Sequence, residues 1–161
     1  MELEIIQPRV GKKWGGIVCH QIDVVEVSGV QSFGEVINGF YISNPVLKSG
    51  FDWQTLNAAK NTSQFTESPA VENGAQVFGQ QMKIAWSGDD SELMNKMNKM
   101  ARLGVLIRFK TRSGDPKIMG HLDAPVRFAY DRDSKVQRSE TNRVNGIYRC
   151  KSNTPVYSLV Y

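Results

Sequence analysis

The run AQVFGQQMKIAW, residues 75–86, is followed by SGDDSELMNKMNKMARLG, residues 87–104, and then by VLIRFK, residues 105–110. The first and third pieces alternate and the middle one does not. In the first, Phe78, Met82, Ile84 and Trp86 fall on one face and Val77, Gln81 and Lys83 on the other, the pattern of a strand with one buried and one wet face. In the middle piece Leu93, Met97, Met100 and Ala101 recur at helical spacing. A helix over about residues 89–103 follows. Ser87 or Asp89 is placed to cap it, with Asp90 or Glu92 in the capping-box position. Asp89, Asp90 and Glu92 sit near the positive end of the helix dipole, and Lys96, Lys99 and Arg102 near the negative end. Gly104 is expected to end it in the left-handed conformation. In the third piece Val105, Ile107 and Phe109 oppose Leu106, Arg108 and Lys110, so the last two are expected to face water.

Working outward, Arg112–Pro116 reads as a turn that returns the chain antiparallel through Lys117–Leu122. Val126–Tyr130 alternates again, with Val126, Phe128 and Tyr130 on one side. Ile17–Val27 is rich in β-branched residues and reads as a strand, as does Glu35–Ser43, with a weaker one at Glu2–Gln7. Gly146–Cys150 and Val156–Tyr161 are expected to close the chain as a hairpin around Asn153-Thr154-Pro155. Phe51–Lys60 reads as a short helix and Asn61–Pro69 as turns. Together these elements predict a mainly β (α+β) domain, an antiparallel β-sandwich or barrel of seven or eight strands with one packed α-helix. The 161 residues suit a single domain, 1–161, with flexible segments at 44–73 and 131–143.

No apolar run approaches the ~20 residues of a membrane-spanning helix. Glu2 and Glu4 stand where a signal peptide carries cations, so a cytoplasmic protein, or one assembled from the cytoplasm, is expected. Cys19 and Cys150 are too few for a disulfide scaffold or a zinc site and read as buried thiols; whether they meet is left open. The net charge of +4 is unevenly distributed. Residues 1–95 hold 6 Lys/Arg and 11 Asp/Glu, whereas residues 96–161 hold 14 and 5. A basic half suits an acidic partner, either nucleic acid or the acidic half of a neighbouring copy.

The candidates for chemistry are sparse. Cys19-His20 lies in a strand, where neighbours point to opposite faces, and His121 supplies no third ligand. Asp131-Arg132-Asp133 carries two carboxylates in a charged loop with Lys135 and Arg138 as competing partners. Lys12-Lys13-Trp14 between glycines lacks the P-loop step and reads as a contact loop or an ordinary turn. Met94, Met97 and Met100 fit core packing or a subunit contact. Arg108, Lys110, Arg112 and Lys117 surround one hairpin and, with Arg127 and Arg132, form a candidate charged interface. Phe109 should face the core, so this cluster reads as an electrostatic patch rather than a base-stacking platform. No convergent set for catalysis, metal or cofactor emerges, and a non-enzymatic protein is expected.

From Gln64 to Cys150, about half the chain, the order of features resembles a family. Phe65-Thr66-Glu67 leads into the strand at 76–86 and the helix at 90–103; then come Val105–Phe109, the Ser113–Pro116 turn, Met119–Leu122, Ala124–Phe128 and Asn145–Tyr148. This order resembles short virion proteins encoded among the tail and neck genes of Bacteroides-type prophages. The N-terminal third carries none of the likeness. The resemblance implies a structural subunit of a ring or connector, with copies of itself or other virion proteins as partners and heterologous interfaces between copies. A nucleic-acid-binding accessory domain using the basic C-terminal half is the alternative.

Overall fold

Backbone pairing, not chain order, sorts the strands into layers. A computed structural model describes residues 19–56, 62–87, 91–111, 116–133 and 143–159, with the side chains of all of these except Cys19, His20, Ser87, Arg132, Asp133 and Arg143. The elements are β1 (Cys19–Glu26), a 3-10 turn (Val27–Gly29), β2 (Val30–Ser32), β3 (Val36–Ile37), β4 (Phe40–Tyr41), β5 (Val46–Leu47) and β6 (Gln54–Thr55). They continue with β7 (Gln64–Glu72), β8 (Ala75–Ser87), α1 (Ser91–Arg102), β9 (Val105–Thr111), β10 (Pro116–Met119), β11 (Arg127–Asp133), β12 (Arg143–Ser152) and β13 (Tyr157–Leu159). One sheet has the order β3-β4-β13-β10-β9-β1-β6, a second β11-β12-β8-β7, and β2 and β5 form a small third. The fold is a mainly β sandwich with one helix.

The main core lies between the first two sheets. From the wide sheet it takes Ile22, Val24, Ile107, Phe109 and Met119, and from the four-stranded sheet Phe65, Met82, Ile84, Trp86, Phe128, Val144 and Tyr148. Tyr148, Met82 and Phe109 are at most 1% exposed, and each such side chain contributes about 1.5–3 kcal/mol by leaving water. The rings pack in pairs: Phe65 lies 4.8 Å from Phe109, and Phe128 4.6 Å from Tyr148. The helix joins this core through Met97, with Leu93, Met94, Met100 and Leu103 packed around it. Met94 takes the place in the stripe that the sequence pattern assigned to Ala101, which is exposed. Tyr130 donates to Asn98 Oδ1 (2.6 Å) and Tyr148 to Met100 Sδ (3.4 Å), which fixes the helix on the inner face of the four-stranded sheet.

The alternation at 82–86, 105–109 and 126–130 and the helix stand as expected, but several elements differ. The helix spans Ser91–Arg102; Asp89 and Asp90 lie outside the described residues. Gly104 does not take a positive φ. It is small because Pro125 packs on it, at 3.0 Å from where a Cβ would be. The stretch 35–43 is not one strand but a tight hairpin, because Asn38 (φ 52°) and Gly39 (φ 78°) form the turn. The expected helix over 51–60 gives way to β6, since Gln54 and Thr55 pair with the open edge of β1; residues 57–60 lie outside the described set. Residues 64–69 are strand, not turns, because an Asn73-Gly74 turn folds β7 back along β8. Thus much of the segment 44–73 is paired. Of the segment 131–143, Asp131–Asp133 ends β11 and Arg143 begins β12, with 134–142 outside the described residues.

The last expected hairpin is also absent. β12 is held between β11 and β8, whereas β13 pairs with β10 and β4 in the other sheet. The chain crosses between sheets at 153–156, pinned by a partly buried relay. Cys150 donates to Gln80 Oε1 (3.0 Å), Gln80 Nε2 donates to Glu67 (3.2 Å) and to the Thr154 carbonyl (3.2 Å), and the Val156 amide donates to Glu67 (2.7 Å). Finally, the outer face of the wide sheet is not wet. Val25, Val30 and Leu106 form a second cluster there with Phe33, Leu47 and Trp53, so residues 27–53 act as a cover.

Gly146 tests the core geometry. A Cβ on it would lie 2.5 Å from both Phe128 and Trp86. Gly146→Ala is expected to destabilise the fold by about 1–3 kcal/mol through overpacking, read as a lower urea midpoint. An unchanged midpoint would contradict the aromatic packing described.

Candidate functional site

Little in the described residues suits catalysis. No three His, Cys, Asp or Glu side chains among them gather to hold a metal. Cys150 is a free thiol, and burial, with the nearby Glu67 adding to it, pushes its pKa up to about 12 against a lowering backbone hydrogen bond at Gly120. It is therefore protonated at neutral pH and a poor nucleophile. Burial likewise raises the phenols of Tyr148 and Tyr41. A groove of about 690 Å³ runs between α1 and the β1–β6 edge. Its floor is Trp86, Leu93, Met97 and Met100, with Glu26 and Asp52 on one side and Lys96 and Lys99 on the helix side. It holds no histidine or cysteine among its described lining residues.

The cations of the candidate interface whose side chains are described, Arg108, Lys110, Lys117 and Arg127, do not converge. Arg108 is half-buried and serves the fold. Its Nη2 donates to Asp23 Oδ2 (3.0 Å), its Nε to the same oxygen (3.3 Å), and its guanidinium lies 4.6 Å from the Trp53 ring centre. Asp23 is 3% exposed and also accepts from Thr55 Oγ1 (2.7 Å) and Gln21 Nε2 (3.4 Å). Arg108 and Lys110 therefore do not simply face water: Lys110 is half-buried and lines a small recess with Gln21, Asp23 and Asn44. The overlying segment 27–53 is the reason. Lys117 lies on the opposite face of the same sheet, donating to Ser158 Oγ (2.7 Å). Arg127 belongs to the other sheet and is exposed. Arg132 is in β11, its side chain outside the described set; Arg112, Lys12, Lys13 and Trp14 also lie outside it.

The sequence pattern missed a different surface. Seven large apolar side chains are exposed among the described residues, and five lie between positions 36 and 46: Val36, Ile37, Phe40, Ile42 and Val46. Ile37 and Phe40 pair directly across the β3–β4 hairpin and are 47% and 43% exposed. Following the register, Phe40, Ser158, Lys117 and Phe109 share the inner face of the wide sheet. The core cluster reaches along that face only as far as β10. The hairpin thus projects past the cover that the four-stranded sheet provides, and β3 is the last strand of its sheet. The signal that would have found it is the Asn38-Gly39 dipeptide between short apolar runs.

The sequence matches no family model, and no curated protein or solved structure matches it.

Removing the guanidinium separates the structural reading of Arg108 from an interface role. Arg108→Ala leaves a buried carboxylate with only neutral donors, and a loss of at least about 2 kcal/mol of stability is expected. A fully stable variant would contradict the structural reading.

Proposed function

We propose that this protein is a non-enzymatic structural subunit that self-associates, of the kind that builds phage tails or necks. The observation that carries the reading is the exposed apolar hairpin at the open edge of the wide sheet. An edge strand presents unpaired backbone N–H and C=O groups, and protein chains ordinarily blunt such edges with charge, proline or a covering element. Here the edge carries Val36 and Ile37 with Phe40 beside them. β7, an edge of the other sheet, carries Pro69 and mostly polar side chains, with Val71 its single exposed large apolar residue rather than a cluster. An apolar patch kept at one edge is a mark of an interaction site.

At the opposite end of the wide sheet, β6 is polar and is the last strand among the described residues. An apolar edge at one end and a different edge at the other suit a heterologous contact, in which copies follow one another into a ring or a filament. The order of features along residues 64–150 supports the phage reading by resemblance. The sparse chemistry of the described side chains accords with a structural role.

Light scattering after size exclusion tests the proposal. The native chain is expected at a multiple of 18.1 kDa, persisting at high salt because the contact is apolar. Ile37→Ser with Phe40→Ser, folded by circular dichroism, is expected at the monomer mass. A native monomer at high concentration, or a double variant that assembles as the native chain does, would overturn it.

A further inference from the structure

The outward face of the four-stranded sheet, where Val77 and Ala85 are buried, contributes nothing to the main core cluster between the sheets or to the apolar hairpin. Its cross-strand rows follow from the register. Arg127, Arg149, Gln81 and Thr66 form one row across β11, β12, β8 and β7; Ala129, Ile147, Lys83 and Gln64 form the next; Lys151, Gly79 and Ser68 flank them. Arg127, Lys83, Arg149 and Lys151 are all exposed. Arg149 Nε donates to Gln81 Oε1 (3.1 Å), which holds it along the face, and Lys151 pairs with Glu72 at one corner. Arg127 stands on the edge strand with its guanidinium turned toward Gly104, so the positive row continues to the sheet margin. Asp131 lies at the far end of the same face of β11. No carboxylate among the described residues is within ion-pairing distance of Arg127, Arg149 or Lys83.

Arg127 and Arg149 are direct cross-strand neighbours whose heads diverge, Arg149 onto Gln81 and Arg127 toward Gly104, so their positive charge is spread across the face with no carboxylate of the described residues neutralising it. Neither residue is buried, so packing does not account for the pair. We propose that this face binds the phosphate backbone of duplex nucleic acid. The charge is complementary to a polyanion, and the flanking Gln81, Gln64, Thr66 and Ser68 are the neutral donors that commonly accompany arginine and lysine at phosphates. The face displays no aromatic side chain, so it offers no stacking platform for unpaired bases. Binding through these groups is independent of sequence and is carried by counterion release. This inference concerns a different sheet from the apolar hairpin and stands independently of self-association.

Fluorescence anisotropy of a labelled DNA duplex with the full chain, across a salt series, tests it. The native protein is expected to bind at low salt, with log affinity falling against log salt at a slope of about −3 to −4 for four cations. Lys83→Gln with Arg149→Gln is expected to weaken binding at least tenfold at low salt and to reduce the slope by about 2. Lys99→Gln, a cation on the helix, is expected to leave both unchanged. No binding at low salt would overturn the proposal, as would equal losses from the Lys99 variant. Tighter binding of a single strand than of the duplex, or equal binding of poly-glutamate, would also overturn it.

Discussion

Two sheets of unequal width face each other, and the rest of the architecture answers that mismatch. Strands lie about 4.8 Å apart, so the outermost strands of a four-stranded sheet are separated by about 14 Å and those of a seven-stranded one by about 29 Å. The narrow sheet can cover only the middle of the wide one, and the core accordingly draws on β1, β9 and β10. Beyond that middle the chain uses other devices. The methionine-rich face of α1 packs beside Trp86 and Tyr148 and extends the apolar layer past the sheet overlap. Methionine suits this place, where a helix and strands meet at an irregular spacing. At the β3–β4 end no described element covers the inner face, and Ile37 and Phe40 remain in water.

The outer face of the wide sheet is solved differently. The segment from Val27 to Trp53 folds over it, burying Leu106 and Val25 on one side of Arg108 and packing Tyr41 on Ile118 and Leu159 on the other. Between these apolar clusters sits the polar Asp23–Arg108 pair. Its Coulomb gain is set against desolvation, so its value to net stability is small while the cost of breaking one partner is large. What it does is directional. Asp23 fixes Thr55 and hence β6, while the Arg108 guanidinium seats the Trp53 ring. The segment connecting these two residues is thereby held in one register on the sheet. Every buried side-chain polar atom among the described residues has a partner, as such a two-sided core requires.

The sequence carried this architecture unevenly. Long elements were legible because they declare a period: Met82, Ile84 and Trp86 in β8, Val126 and Phe128 at the start of β11, and the stripe of α1. Two-residue strands such as β3–β6 contain a single repeat, so no periodicity marks them. The mark of β3 and β4 is the local turn chemistry of Asn38-Gly39, as Asn73-Gly74 is for the pairing of β7 with β8. Strand alternation also cannot say which sheet a strand joins, and so β12 and β13 looked like a hairpin although they belong to opposite layers. Of the candidate charged residues, Arg108 looked solvated because its partners, Asp23 and Trp53, are distant in sequence. Arg127 was legible as an exposed cation, but its neighbours Arg149 and Lys83 come from strands far along the chain. In sequence the apolar hairpin is ordinary strand content, since exposure depends on the width of a sheet that only the fold reveals.

We propose the uncovered margin of the wide sheet as the contact surface between copies. Amide hydrogen exchange followed over a dilution series examines it at the residues concerned. Residues 34–42 are expected to be protected in concentrated solution and to lose that protection on dilution, while β8, β12 and α1 exchange alike at every concentration. Exchange of residues 34–42 that does not depend on concentration would contradict it.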